Sequence, residues 1–206
     1  MGRLTRDFLG YINYGVRINR IALSGSITTL IMKFQMLSKG IKYGSKVRFN
    51  GISHFFRMPE SSIIIGNYNR FRSDFTSNLV GINRKCLIAT LRKKAMLTIG
   101  DHCGLSGTVI GAAKNIEIGD RVLFGANSFV TDFDWHNSDP ELRHQECHNA
   151  KSVKIENNVW LGMNTIVLKG VTIGENSVIG ANSVVVGDIP SNVIAAGNPC
   201  RVIKSI

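Results

Sequence analysis

The sequence predicts an all-β solenoid: a parallel β-helix with triangular coils, a short N-terminal helical segment and one extended loop. Three registers that repeat together every six residues predict this fold. The first register holds the aliphatic residues Ile155, Leu161, Val167, Ile173, Ile179 and Val185. The second holds compact side chains four positions later, at Val159, Thr165, Val171, Ser177, Ser183 and Ile189. The third holds residue types that tolerate a left-handed backbone: Asn158, Asn164, Gly170, Asn176, Asn182 and Asp188.

A period of six matches neither the 3.6-residue repeat of a helix nor the two-residue alternation of a strand. It matches one flat side of a coil, which consists of a short strand, an inward aliphatic residue and a tight corner. Three such sides close a triangle of about eighteen residues, and stacked triangles bury the aliphatic residues in a central column.

The same period begins irregularly at Ile41 and Val47 and becomes steadier from residue 87 onward. The predicted inward positions there are Leu87, Lys93, Ile99 and Leu105, followed after a slip of one residue by Ala112, Ile118, Phe124 and Val130. We therefore expect residues 41–206 to form one β-helix domain, with a basic helical segment at residues 1–40.

The composition fits one sizeable core, with 44% hydrophobic residues and only four prolines. The longest uncharged run near the start, residues 21–32, is shorter than the roughly 20 residues of a membrane span, and no cleavage-site pattern follows it. Four scattered cysteines without a CxxC pair fit reduced thiols. We therefore expect neither a transmembrane helix nor secretion, and a cytoplasmic location.

The net charge of +11 is concentrated in the first half of the chain, where residues 1–100 hold 17 Lys and Arg against 3 Asp and Glu. No zinc-finger spacing, recognition helix or aromatic-basic RNA signature accompanies it, which argues against nucleic acid. An anionic membrane surface or a phosphate-bearing substrate is the expected partner. The first forty residues should form one or two short helices, which either cap the open first coil or rest on anionic lipid at the inner membrane face.

The repeat stops over residues 131–152, where a polar loop carries His136, His144 and His148. A long excursion from a regular solenoid is more often functional than decorative. This loop is where we expect the chemistry.

At these residues the chain resembles the hexapeptide-repeat, left-handed parallel β-helix acyltransferases, in particular the sugar and polysaccharide O-acetyltransferases of the maltose and galactoside type. The resemblance covers about residues 85–206. It rests on the hexads, on the loop motif TDFDWHNSDP at residues 131–140, and on the tail with DIP at residues 188–190 and AGNP at residues 196–199.

The resemblance implies acetyl transfer from acetyl-CoA to a sugar hydroxyl in surface polysaccharide biosynthesis, with no metal. It also implies a homotrimer with sites between subunits, and a sugar or lipid-linked glycan as acceptor. His136 matches the general base of the family, and an imidazole that titrates near neutrality can take the hydroxyl proton and pass it to the leaving thiolate.

Further roles follow from the resemblance by position. The residues expected to bind or orient the acceptor are Asp134, Trp135, Asp139 and Ser106, although Ser106 stands where related enzymes carry a functional asparagine. The residues expected at the cofactor are Trp160, Gly162, Met163, Ala181, Val186, Arg201 and Lys204. Backbone N–H groups near Gly162 and Met163 should meet the tetrahedral oxyanion.

Three alternatives remain open at this point. An amino-sugar N-acetyltransferase would use the same fold and a similar histidine. A zinc hydratase would need three well-placed ligands, for which His136, His144 and His148 are crowded into one loop. A non-catalytic solenoid would need neither the loop nor the tail.

Overall fold

One N-terminal helix and a three-faced parallel β-helix make up the computed structural model, which describes residues 7–145 and 149–206. Helix α1 spans Phe8–Ser38, and twenty strands, numbered in chain order, follow it. The chain visits three sheets in turn, which we name faces A, B and C. Each coil therefore has an A–B, a B–C and a C–A corner.

Each face is a stack of short strands, one from each coil. Face A contains β1 (Lys42–Tyr43), β4 (Ser62–Ile65), β7 (Met96–Ile99), β10 (Asn115–Ile118), β13 (Val153–Ile155) and β16 (Thr172–Ile173). Face B contains β2 (Arg48–Asn50), β5 (Arg70–Arg72), β8 (Gly104–Ser106), β11 (Leu123–Phe124), β14 (Trp160–Leu161), β17 (Val178–Ile179), β19 (Val193–Gly197) and β20 (Cys200–Ser205). Face C contains β3 (His54–Arg57), β6 (Leu87–Thr90), β9 (Val109–Ala112), β12 (Phe129–Thr131), β15 (Ile166–Val167) and β18 (Val184–Val185).

The predicted hexad registers are confirmed over residues 155–189. All twelve residues of the aliphatic and compact registers are buried, and neighbouring coils pair in parallel, as in Leu161 with Ile179. The third register has a left-handed backbone at every predicted position except Asp188. Asp188 instead accepts a hydrogen bond from the Thr172 backbone N–H at 2.7 Å, so it joins two coils through its carboxylate.

Asparagine side chains form a ladder along the A–B corner. Asn158 donates to Asn176 at 3.0 Å, and Asn176 donates to Asn192 at 2.8 Å. All three have a positive φ, which places their side chains in line from coil to coil. Each amide therefore serves two purposes, because it turns the chain and bonds the coils together.

Glycine at a corner is required where two coils come closest. A Cβ built on Gly162 would lie 2.5 Å from the backbone nitrogen of Ala181, which real contacts do not allow. The absence of a side chain at residue 162 therefore keeps successive coils in register.

The prediction was wrong for the inward residues of the earlier coils at two positions. Leu87 and Lys93 point outward, and the inward residues nearby are Ile88 and Leu97. The C–A corner between β6 and β7 is longer than a hexad allows. Counting in strict steps of six therefore selects residues whose side chains point outward.

Helix α1 is a single helix of 31 residues, where one or two short helices were expected. Its second half covers the open first coil: the Thr28 hydroxyl donates to the Phe49 carbonyl at 2.7 Å, and the Phe49 N–H donates to the Thr29 hydroxyl at 2.8 Å. Met32 and Met36 are fully buried against the same coil. These contacts satisfy strand β2 at an edge that no further coil covers.

The apolar segment near the start is longer than the uncharged run on which the expectation about membrane spans was based. By length and composition alone, helix α1 would be sufficient to cross a membrane. The uncharged run covers only residues 21–32, whereas the helix also includes Arg17 and Arg20. Only 11% of an apolar 18-residue stretch of α1 is buried, so most of this apolar helix faces outward.

The three faces differ in the character of their outward residues. Face A presents Thr98, Glu117, Lys154 and Thr172 in one column. Face B presents Leu123, Trp160, Val178 and Ile194. Face C presents Leu87, Val109, Phe129, Ile166 and Val184. In the later coils two adjacent faces are therefore apolar outside as well as inside, whereas the third is polar there and exposes Ile64 and Met96 only in earlier coils.

The cysteines within the described residues, Cys86, Cys103 and Cys200, are free thiols and are buried. Burial raises the pKa of the Cys103 thiol to about 12. At neutral pH this thiol is therefore protonated, and it packs as a small core residue.

Two neighbouring isoleucines on face A test the inward register. Ile65 is buried in the column, whereas Ile64 points outward and is 41% exposed. Ile65→Ala should lower the free energy of unfolding by about 2 to 5 kcal/mol, and Ile64→Ala by less than about 1 kcal/mol. Urea unfolding followed by circular dichroism measures both, and equal losses would contradict the register.

Candidate functional site

The base of the polar loop is fixed by a buried carboxylate, Asp132. Its oxygens accept hydrogen bonds from the backbone N–H groups of Ala113, Lys114 and Asn115 at 2.7 to 2.8 Å. Its carbonyl accepts from the Lys151 N–H at 2.8 Å. Both ends of the loop are therefore anchored to the same C–A corner.

Sequence reasoning missed Asp132. Its signal was available, because an acidic residue directly follows the buried strand β12, and a carboxylate there needs several donors to be buried.

Asp134 closes the neck of the loop. Its carboxylate pairs with the Lys169 ammonium and accepts from the Asn149 amide, and its N–H donates to Asn149 Oδ1 at 3.1 Å. The Trp135 ring packs against Phe133, with 4.8 Å between centroids, and remains 55% exposed. These contacts hold the segment that leads into His136.

His136 is exposed, and its Nδ1 lies 3.3 Å from the carbonyl oxygen of Arg143. A carbonyl can only accept, so this contact holds the neutral ring in the tautomer that carries its proton on Nδ1. The Nε2 lone pair then faces outward and is available as a base. A backbone carbonyl thus contacts the ring and orients it.

Asp139 stabilises the following turn. Its Oδ1 accepts from the Glu141 N–H at 3.0 Å, and its carbonyl accepts from the Leu142 N–H at 3.2 Å. The turn brings the Arg143 carbonyl back to the His136 ring. Asp139 therefore acts on the histidine through the backbone between them.

A groove of about 410 Å³ runs along the B–C corner of the later coils. Four predicted cofactor residues lie together in its wall: Trp160, Gly162, Met163 and Ala181. Val178 continues the same wall, and Asn78 and Val80 form the opposite rim. We call this space the corner groove.

The corner groove contains backbone donors without an acceptor. The Gly162 N–H donates to the Ile179 carbonyl at 2.7 Å, so it is not available to a ligand, contrary to the expectation for an oxyanion donor. Among the described residues, the Met163 and Ala181 N–H groups have no hydrogen-bond partner. Both residues line the groove, so their N–H groups are candidate donors to a ligand bound there.

The remaining predicted cofactor residues lie outside the groove lining. Lys204, on β20, pairs with Ile194, which pairs with Val178, so its side chain extends the outward column of the groove wall. Arg201 lies on the same strand and is exposed. Val186 follows β18 at the end of face C and is exposed there.

Ser106 belongs to a buried polar cluster beside the corner groove. The Asn78 amide donates to its hydroxyl at 3.1 Å. Asn127 accepts from the Asn83 N–H at 3.1 Å and donates to the Gly81 carbonyl at 3.0 Å. Its backbone is left-handed, which suits a corner, and its side chain ties the 74–86 loop to the coil.

The histidine loop and the corner groove lie at different corners of the coil. The loop leaves at the C–A corner between β12 and β13, whereas the groove follows the B–C corner, with face C between them. His136 is not among the residues that line the groove.

No three His, Cys, Asp or Glu side chains come close enough to hold a metal ion within residues 7–145 and 149–206. His148, the third ligand of the zinc alternative, lies outside the described residues.

Comparison with protein families identifies the repeats. Residues 152–187 match the model of the bacterial transferase hexapeptide (six repeats), and residues 115–131 match the hexapeptide repeat of succinyl-transferase. Both segments lie within the coils that border the corner groove and the loop.

Two curated relatives and two solved structures extend this likeness. The galactoside O-acetyltransferase of Lactococcus lactis is 50% identical over 138 residues, which are 56% of this chain and 66% of that protein. The galactoside O-acetyltransferase of Escherichia coli is 47% identical over 91 residues, 44% of each chain. The chain thus spans less than two thirds of the length of these relatives.

A hexapeptide-repeat acetyltransferase of Vibrio cholerae has a TM-score of 0.53 and 26% identity, covering 84% of this chain and 78% of its own. The N-acyltransferase AntD of Bacillus cereus has a TM-score of 0.64 at 22% identity, covering 84% of this chain and 88% of its own, and so supports the fold alone. The repeats, the coils and these relatives agree that residues 115–131 and 152–187 are hexapeptide repeats of the kind found in bacterial transferases.

Proposed function

We propose that this protein is an acetyl-CoA-dependent O-acetyltransferase that acetylates a sugar hydroxyl during surface polysaccharide biosynthesis. The observation that carries the proposal is the His136 imidazole, which the Arg143 carbonyl orients with Nε2 free. The relatives that are 47 to 50% identical are named galactoside O-acetyltransferases, which supports a sugar hydroxyl as acceptor. In keeping with this family, we take the coils to wind in the left-handed sense.

The reaction begins with proton transfer. His136 Nε2 takes the proton of the acceptor hydroxyl as the hydroxyl oxygen attacks the thioester carbonyl of acetyl-CoA. The resulting tetrahedral oxyanion accepts a hydrogen bond from a free N–H in the corner groove, with Met163 as our assignment. Collapse breaks the carbon–sulfur bond, and the imidazolium returns its proton to the departing sulfur.

Acetyl-CoA lies in the corner groove in this proposal. Its pantetheine amide carbonyls accept from free backbone N–H groups such as that of Ala181, and its apolar parts pack on Trp160. Lys204 extends the groove wall and offers a cation to the nucleotide phosphates, with Arg201 on the same strand. Ser106, Asp134, Trp135 and Asp139 shape or support the acceptor side.

A second copy of the chain completes the site. Because His136 and the corner groove occupy different corners, one copy does not bring them together. The outward columns of faces B and C are apolar, so face B of one copy can pack against face C of the next. A contact between two different faces closes into a ring when the rotation between copies is about 120°, and we propose such a homotrimer, in which Val186 on face C adds to the neighbouring groove.

We place the enzyme in the cytoplasm, at the inner face of the membrane. The relatives act on sugars by name, and a lipid-linked glycan would be met at that surface. The basic first half of the chain favours an anionic surface over a neutral one. Residues 1–40 serve as the basic helical segment and residues 41–206 as the acyltransferase domain.

Replacement of His136 tests its role as the general base. His136→Ala should lower kcat by about two to four orders of magnitude with little change in the KM for acetyl-CoA, because only proton transfer is removed. Release of CoA with a panel of sugars and amino sugars measures the rate. His144→Ala, in the same exposed loop, is the matched control, and an equal loss there would contradict the assignment.

The tail cation tests the position of the cofactor. Lys204→Ala should raise the KM for acetyl-CoA by about tenfold and leave kcat nearly unchanged, since the phosphates lie far from the reacting carbonyl. Lys154→Ala, which removes an exposed cation from face A, should leave KM unchanged. Equal KM values for the two variants would contradict the placement of the nucleotide phosphates beside β20.

Mixed oligomers test whether two copies form one site. Ala181→Trp should fill the corner groove, so this variant and His136→Ala should each be inactive alone. Random mixing of the two in threefold rings leaves about a quarter of the sites intact, so coexpression should restore about that fraction of activity. No recovery in oligomers shown by mass to be mixed would mean that histidine and groove belong to one copy.

A further inference from the structure

A second groove, separate from the corner groove, lies between helix α1 and the first two coils. It has a volume of about 650 Å³, and α1 residues form one wall while β2 and β5 form the other. Ile18, Ile21 and Leu30 supply apolar surface on the helical side. We call this space the α1 groove.

Three cations line the α1 groove: Lys33 from the helix, Arg48 from β2 and Arg70 from β5. No acidic residue is among those lining it, and none occurs in Phe8–Ser38. Within residues 7–145 and 149–206, these three cations have no carboxylate partner, since the salt bridges join Lys93 to Glu60, Lys154 to Glu156 and Lys169 to Asp134.

The two arginines are held beside each other by the fold. Arg48 and Arg70 are register partners in adjacent parallel strands, about 4.8 Å apart along the sheet, and both side chains point outward. Arg72, two residues further on, has a lowered pKa because of its own burial and then because of Arg70. Like charges in neighbouring strands are unfavourable, and an anion bound between them offsets the repulsion.

An exposed apolar stripe runs along α1 next to this groove. Its members are Leu9, Ile12, Val16, Leu23, Ile27, Leu30, Phe34 and Leu37, spaced by three or four residues over most of the helix. The opposite side of the same helix packs on the first coil through Gly25, Met32 and Met36. The stripe therefore belongs to neither the β-helix core nor the corner groove.

We propose that α1 lies on an anionic phospholipid bilayer, with its apolar stripe in the acyl region and a lipid phosphate bound in the α1 groove by Lys33, Arg48 and Arg70. A lipid supplies both chemistries that the surface presents, a phosphate for the cations and hydrocarbon for the stripe. This binding is independent of the acetyl-transfer reaction.

The helix lies along the surface in this arrangement and does not span it. Its second half bonds to strand β2 through Thr28 and Thr29, and Asn50 donates to the Ile21 carbonyl at 3.4 Å. Insertion across a bilayer would break these bonds and uncover the first coil.

Flotation of the full-length protein with vesicles tests the proposal. The protein should float with vesicles that contain phosphatidylglycerol and remain behind with phosphatidylcholine alone, and high salt should release it. Equal binding to both vesicles would overturn the proposal. So would binding that resists both high salt and alkaline carbonate, because that behaviour indicates a spanning helix.

Two matched pairs of variants locate the contact. The double variant Arg48→Ala and Arg70→Ala should weaken vesicle binding by about tenfold or more, whereas Lys42→Ala with Lys154→Ala, equal in charge but on face A, should have a much smaller effect. Phe34→Ser should also weaken binding, and Met96→Ser, an exposed position on face A, should not. Circular dichroism verifies that each variant folds.

If something other than an anionic lipid binds the α1 groove or covers the apolar stripe, these experiments give different results. If both double charge variants lose binding equally, net charge alone acts and the α1 groove is not a site. If Phe34→Ser changes the oligomer mass but not flotation, a second copy covers the stripe. If the protein binds inorganic phosphate but does not float with phosphatidylglycerol vesicles, the groove takes free phosphate. Each of these results overturns the lipid assignment.

Discussion

The structure depends on the superposition of each coil on the next, because every strand is hydrogen-bonded to the strands of neighbouring coils. Parallel strands about 4.8 Å apart leave no room for a side chain at residue 162, and most corners turn through a left-handed residue. An insertion within a strand would break this superposition on two sides at once. Insertions therefore occur at corners, where the polar loop and the 74–86 loop both leave the coil.

This constraint also explains where the candidate chemistry lies. The regular walls provide a groove with free backbone donors at Met163 and Ala181, and a corner insertion provides the imidazole of His136. Asp132 connects the two kinds of structure, since its buried carboxylate fastens the loop to the coil before it. The precision of the loop is therefore set by hydrogen bonds at its base, and the histidine is oriented by one backbone carbonyl.

The outer surface also differs from face to face. In the later coils face A is polar and faces B and C present apolar columns, and α1 presents its apolar stripe beside Lys33, Arg48 and Arg70, which pair with no carboxylate among the described residues. One copy of the chain leaves all of this apolar surface open. Faces B and C can be covered by another copy of the chain. Helix α1 carries Arg17, Arg20 and Lys33 and no acidic residue, so it can bind an anionic surface.

The sequence was most informative where the repeat is strict. Burial and backbone conformation over residues 155–189 follow from a spacing of six, because each residue there has one fixed place in the coil. The positions of Leu87 and Lys93 could not be obtained in this way, since longer corners shift the register by amounts that spacing does not encode. Helix α1 was underestimated because an apolar run interrupted by arginines looks like two short helices.

The site was predictable in its residues but not in its contacts. Trp160, Gly162, Met163 and Ala181 share a groove because equivalent corners stack, which the repeat implies. The contacts of Asp134 with Lys169, of His136 with the Arg143 carbonyl and of Asn127 with the 74–86 loop depend on how the insertions fold back. No periodic pattern describes those segments, so only the structure reveals them.

The central claim is that acetyl-CoA lies in the corner groove of one copy and reacts beside the histidine of another. A crystal structure of the oligomer with bound CoA tests this most directly. The account predicts pantetheine along Trp160, Met163 and Ala181, with its sulfur within reach of Nε2 of His136 from the adjacent copy. A CoA sulfur that lies beside no imidazole, or a CoA bound away from these corners, would contradict it.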